Sequence, residues 1–255
     1  MIELTTEVSL LRRFVDDLDR TSPRAVPTCP ELGAYTSEDL EVARIAWATR
    51  IVDEYRSVAI FSELLQLLAD LEAPFAGLCA VQRLIGDELR HTQLTAQVVE
   101  WLGGTDDLEI DLSEVGLPPR DAAESPAMRA LRIVARELVV AEEESVYVLA
   151  AYRGATTEPA IRRVFELVLV DEVRHAAAGR ALLALFERGE LARTTAGLRA
   201  ELPELMAADR AMLREGYVKS ARGGPGRALG ACIELADLDA IWRRSDDRVR
   251  ARAAP

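Results

Sequence analysis

Histidine is nearly absent from this chain, with two copies among 255 residues. Cysteine is scarce too. Its three copies, Cys29, Cys79 and Cys232, are widely separated and include no Cys-x-x-Cys pair, which excludes a disulfide frame or a zinc ribbon and fits reduced thiols in the cytoplasm. Positive charge is in deficit: Lys and Arg number 31 against 43 Asp and Glu, a formal net charge of −12. Nucleic acid and anionic membrane surfaces, which reward basic residues, are therefore poor partners. No uninterrupted apolar run approaches the roughly 20 residues of a membrane span. The opening MIELTTEVSLLRRFVDDLDR is acidic and amphipathic, without the basic-then-apolar order of a signal peptide. A strand pattern of any strength is missing as well. What remains is a chain that is 49% apolar and 29% charged, globular, and long enough for one large core.

Helical periodicity is abundant. Leu10, Leu11, Phe14, Val15 and Leu18 predict a short amphipathic helix over residues 5–20, and the proline-rich stretch 21–36 breaks it. Ser37 reads as an N-cap, with Glu38, Asp39 and Glu41 favourably placed behind it, opening a long helix to about Asp70. A second long helix takes Pro74 as an early position and stops after Leu102 at Gly103-Gly104. Residues 103–123 are acidic, carry no helical period and read as a crossover. Ser125-Pro126 opens a third long helix to about Tyr152, and Thr157-Glu158-Pro159 opens a fourth to about Phe186. Beyond Gly189 the pattern predicts a helix over about 195–216 with Pro203 as a restart, a break at Gly223-Gly224-Pro225-Gly226, and a last short helix around Leu238. Four long helices, two short links and one long crossover predict an all-α four-helix bundle as a single domain, with its core at 37–188 and a helical extension at 189–255.

Both histidines stand in nearly the same string: Asp87-Glu88-Leu89-Arg90-His91 on the second helix and Asp171-Glu172-Val173-Arg174-His175 on the fourth. Positions three apart share a helix face, with Cβ atoms about 5–6 Å apart, so each Glu and its His can reach one metal ion together. The first and third helices repeat as well. Asp53-Glu54-Tyr55-Arg56-Ser57-Val58 aligns with Ala141-Glu142-Glu143-Glu144-Ser145-Val146, so the unit is a helical hairpin with one Glu on its first helix and Glu-x-x-His on its second. Two units supply four carboxylates and two imidazoles. The alignment selects Glu142 on the third helix, and Glu144, beside Val140, Tyr147 and Val148, is the alternative. Trp47, Tyr55, Phe61 and Tyr147 read as core or pocket lining, and Cys79 as a small buried hydrophobe.

Over residues 37–188 the chain resembles the ferritin-like di-iron carboxylate proteins, which take a Glu from each of two helices and Glu-x-x-His from the other two. The resemblance implies that Glu54, Glu88 and His91 hold one iron and Glu142, Glu172 and His175 the other, with Glu88 and Glu172 bridging. It implies that Asp87 and Asp171 hydrogen-bond the histidine of the opposite hairpin. Oxygen and imidazole donors without sulfur suit iron in both oxidation states, and manganese or a mixed manganese/iron pair fits the same donors. Two departures set the chain apart within that family. Ribonucleotide reductase small subunits place a radical tyrosine one turn after the first His, where this chain has Thr95. Di-iron arylamine N-oxygenases carry a further His where this chain has Val168. The resemblance implies a cytoplasmic dioxygen-activating oxygenase or oxidase. Its expected partners are a small or carrier-bound organic substrate, an electron donor such as a ferredoxin or flavin reductase, and a second copy in a homodimer. The alternative is an iron-handling or peroxide-scavenging protein without an organic substrate.

Overall fold

In the computed structural model the described residues are 27–105, 115–117, 121 and 123–243. The helix expected over 5–20, most of the crossover and the tail after 243 lie outside them. The first long helix, α1, is Ser37–Asp70. Its N-cap is Thr36 and not Ser37: Thr36 Oγ1 accepts from the Asp39 backbone at 3.1 Å, and the Asp39 side chain accepts from the Thr36 backbone at 3.2 Å. This reciprocal box satisfies two backbone donors at once, which Ser37 one residue later cannot do. Pro74 caps α2, Phe75–Trp101, and the chain leaves that helix through Gly103 and Gly104 at φ 133° and 84°, where a side chain would be strained.

The third rod is less regular than its sequence suggests. It begins as α3, Pro126–Ile133, capped by Ser125 Oγ, widens into a π-helical segment at Val134–Ala141, and continues as α4, Glu142–Ala155. Gly154 does not end it; the backbone turns extended at Thr156. Helix α5, Pro159–Leu183, is capped by Glu158, whose carboxylate accepts from the Ala160 backbone at 3.0 Å. Short α6, Gly189–Thr194, leads to α7, Ala196–Ser220, which runs through Pro203 where a restart was expected. Residues 235–243 are helical again. The protein is all-helical with no strand among the described residues, and no described helix is long and apolar enough to cross a membrane.

The four rods close a ring: α1 packs on α2, α2 on α5, α5 on α4 and the π segment, and α3 on α1. Their apolar side chains separate into two clusters along the length. One gathers Phe61, Leu64 and Leu68 of α1 with Val81, Leu84, Leu131, Leu138 and Leu182. The other gathers Trp47 and Ile51 of α1 with Leu94, Val98, Val164, Phe165 and Val168. On every rod the glutamates and histidines singled out above fall between the two, so they are buried at mid-height. Trp47 and Phe61 are core residues. Cys79 is not: it is exposed, because the face of α2 it occupies is turned to solvent, and Cys232 is the buried cysteine.

Gly179, one turn beyond His175, marks the closest approach of two rods. A Cβ there would lie 2.6 Å from the Leu138 carbonyl oxygen in the π segment. The obstacle is backbone, which cannot swing aside, so Gly179→Ala is expected to destabilise the protein by about 1–3 kcal/mol. A thermal melt with an unchanged midpoint would disprove the close approach.

Candidate metal centre

Two groups of side chains converge between the apolar clusters: Glu54, Glu88, His91 and Glu172 in one, and Glu88, Glu142, Glu172 and His175 in the other, with candidate ligand atoms within 4.8 Å of one another in each. The structure thus brings together all six residues named from the repeat, and Glu88 and Glu172 belong to both groups. His91 Nδ1 lies 3.4 Å from Glu54, 3.6 Å from Glu88 and 3.3 Å from Glu172. His175 Nδ1 lies 3.0 Å from Glu88 and 3.5 Å from Glu142. The two imidazoles are 5.6 Å apart, centre to centre.

These distances are short, yet the angles are wrong for hydrogen bonds. Nδ1 of both histidines, Glu88 Oε1 and Glu142 Oε2 are buried without a hydrogen-bond partner. Buried polar atoms left in this state are costly. Here the unpartnered atoms belong to two groups whose candidate ligand atoms lie within 4.8 Å of one another, an arrangement a bound cation can satisfy. The charge count agrees. Carboxylates packed among apolar side chains need compensating positive charge, which a bound cation can supply. Oxygen and imidazole donors suit iron or manganese.

Behind the imidazoles the aspartates cross between hairpins: Asp171 Oδ2 is 3.4 Å from His91 Nε2, and Asp87 Oδ2 is 3.5 Å from His175 Nε2. At His91 the Asp171 carboxylate beside Nε2 can hold the proton there and leave Nδ1 as the free lone pair, whereas His175 Nε2 makes no hydrogen bond. Arg174 bridges Asp87 and Asp171. Arg90, 2% exposed, reaches toward Asp171 on the opposite hairpin at 3.9 Å. Arg83, which the string does not include, pairs with Asp87 at 2.8 Å. Its position one turn before Asp87 is the only sequence signal for it.

The third rod presents three consecutive glutamates with three different fates. Glu142 enters the cluster. Glu143 pairs with Arg210 at 2.6 Å. Glu144 is fully buried but faces away, held by Arg210 and Arg214 at 3.0 Å each and by Trp242 Nε1 at 3.0 Å. The geometry therefore places Glu142 and not Glu144 among the candidate ligands.

Without cations the cluster keeps protons that its carboxylates would ordinarily lose. Burial pushes Glu54 up to about 8, against the opposing pull of His91. Burial, then the facing Glu142, drives Glu172 well up. Burial opposes charge on both imidazoles, but Asp171 and the cluster carboxylates outweigh it at His91, and Asp87, Glu142 and Glu88 do so at His175, so both rise well above their ordinary value. Glu88 is the exception: burial would raise it, yet the two histidines hold it at about 2. Comparison with protein-family models, curated proteins and solved structures finds no match for this chain, so the reading of the centre rests on its own residues.

Two outcomes follow. His91→Ala and His175→Ala should each strip most of the bound metal, and Asp87→Ala or Asp171→Ala should weaken binding by about 10–100-fold; metal analysis that finds either histidine dispensable refutes the centre. Cations must also displace protons from groups whose pKa is raised. Metal affinity should therefore climb with pH until Glu54 loses its own proton at about 8, with protons released on loading. A flat affinity over roughly the two pH units below the value to which Glu54 is raised, about 8, would contradict this electrostatic picture.

Proposed function

We propose that this chain is a ferritin-like di-iron carboxylate protein: an oxygenase or oxidase that uses dioxygen to oxidise a small or carrier-bound organic molecule. The observation that carries this reading is the pair of overlapping ligand groups, each with its own imidazole and terminal glutamate, sharing Glu88 and Glu172. Bound there, two iron ions would supply the two-electron activation of dioxygen, with reducing equivalents drawn from an external donor.

The protein's own contribution is to hold and shield. Glu54 and Glu142 would each bind one ion, Glu88 and Glu172 both, and His91 and His175 would each bind one through Nδ1. Asp171 would fix the His91 tautomer from behind, and Asp87 lies on the same side of His175. Ile51, Phe61, Leu138 and Val168, all essentially shut off from solvent, exclude water from above and below. Manganese would satisfy the same donors, so the metal is settled by analysis of the purified protein and not by the ligand set.

Anaerobic loading with ferrous iron should give about two ions per chain, the stoichiometry of such centres, and admission of oxygen should then produce ferric absorption in the near ultraviolet. Less than one iron per chain with no oxygen-dependent absorption would overturn the reading. Assembly into a mineral-filled cage would instead favour iron handling.

A further inference from the structure

Helices α2 and α5 supply both histidines, and their outer sides form one surface behind the imidazoles. Asp87 lies 3.5 Å from His175 and Asp171 lies 3.4 Å from His91. This crossed pairing runs the two helices antiparallel and sets Leu89, midway between Asp87 and His91, level with Val173, midway between Asp171 and His175. Both are exposed, at 38% and 53%, and Val170, one turn before Val173, is 48% exposed. These side chains add nothing to the core. Exposed apolar residues gathered inside a polar rim mark a contact surface.

The rim here is basic. Arg83, Arg162, Arg163, Arg174 and Arg180 each keep 45–55% of their side-chain surface exposed. Besides the buried Asp87, Glu88, Asp171 and Glu172, the two helices contain two acidic residues, Glu100 and Glu166. Over the whole chain the balance is the reverse, with 43 acidic residues against 31 basic ones. An acidic protein is therefore repelled by the molecule as a whole and drawn to this face, which fixes both where it lands and how it is turned.

Arg174 ties the face to the centre. Its side chain, 47% exposed, bridges Asp87 and Asp171, and those carboxylates lie beside the two imidazoles. Two side chains thus separate water from either histidine. Electron tunnelling falls steeply with distance, so a donor protein has to come close to the ligands before it can deliver an electron. Small contacts of modest affinity suffice for such encounters, and three apolar side chains within a ring of arginines match that scale.

Resting on the di-iron reading above, we propose that the outer face of α2 and α5, centred on Leu89, Val170 and Val173 and ringed by Arg83, Arg163 and Arg174, is the docking site of an acidic one-electron donor protein. Each docked donor gives up one electron and is left oxidised. Two such transfers return two ferric ions to the ferrous state, and no bond in this chain is made or broken.

The test uses full-length, iron-loaded protein and an acidic [2Fe–2S] ferredoxin of plant type as the probe. Calorimetry reads its binding, and the loss of ferric absorption on anaerobic mixing with the reduced ferredoxin reads electron delivery. Leu89→Asp, Val173→Asp and Arg163→Glu should each keep the iron content of the parent protein, bind the ferredoxin about ten-fold more weakly, and accept its electrons about ten-fold more slowly at sub-saturating ferredoxin. About 0.3 M salt should weaken binding to the parent protein. Dithionite, too small to need a docking face, should reduce all of them at the parent rate. Met212→Asp, at a 57% exposed position on α7, should behave as the parent. Parent-like binding and rates in Leu89→Asp and Val173→Asp, an equal loss in Met212→Asp, or a parent protein that holds iron but does not bind the ferredoxin would each overturn the docking face while leaving the centre intact. A parent dimer that Val173→Asp splits into monomers in sedimentation would assign the face to a second copy and overturn it as well. A parent protein that binds no iron ends the di-iron reading, and the donor site with it.

Discussion

The fold is governed by the cost of burying four carboxylates and two imidazoles at one level of a helical bundle. No hydrophobic gain offsets that burial, and the groups do not satisfy one another: Nδ1 of both histidines lacks a hydrogen bond although carboxylates surround it at 3.0–3.6 Å. An apolar core of the same shape would be more stable. The rest of the architecture keeps this level in place. Rods such as the 34-residue α1 are long enough to carry an apolar cluster on either side of it. The outer aspartates and arginines neutralise what cations would not reach. Arg174 alone ties Asp87 of one hairpin to Asp171 of the other, so the two halves of the repeat are joined behind the imidazoles as well as through them.

The repeat is only approximate, and its departures give the centre a direction. Arg90 and Arg174 occupy equivalent places in the two strings, yet the first side chain is 2% exposed and the second 47%. Glu54 and Glu142 are equivalent too, but Glu54 has the exposed Asp53 before it, whereas Glu142 is followed by two glutamates that fasten α7. One hairpin therefore leaves its glutamate nearer to solvent, and the other holds α7. A symmetric bundle would bury the two glutamates equally.

Most of the centre was legible because its signal is local. The Asp-Glu-x-Arg-His string uses both histidines, and a three-residue spacing on a helix fixes a shared face with no tertiary information. The rods were legible from their punctuation, as at Ser125-Pro126 and Gly103-Gly104. The choice of Glu142 over Glu144 was legible only through the alignment of the repeat, since both are buried and a hydrophobic-face argument cannot separate two buried positions. Arg210, Arg214 and Trp242, 66 to 98 residues later, decide it. The π segment left no mark because a widened turn needs no special residue type; Val134–Ala141 reads as ordinary amphipathic helix. Pro203 misled for the opposite reason. Proline normally ends a helix interior, but this one sits on an exposed helix whose hold comes from Leu198 and Leu202 before it and from arginines after it.

That division between apolar and ionic hold separates what can move from what cannot. Displacing any of the four rods would break side-chain packing in two clusters at once, and interiors packed at that density shift between discrete arrangements rather than yield gradually. Residues 203–220 carry less of that penalty, since they add only partly buried side chains, Leu205 and Met206 to one cluster and Tyr217 to a smaller one. Their pairs lie near the surface, where Arg210 and Arg214 remain 34% and 23% exposed, and charges in that setting weaken as ionic strength rises. Glu144, at zero exposure, is the one member that salt cannot reach directly. Freed from its arginines it would be a buried, unneutralised carboxylate, so an open segment must either admit water to Glu144 or close again. The same residue therefore both fastens α7 to α4 and resists its release.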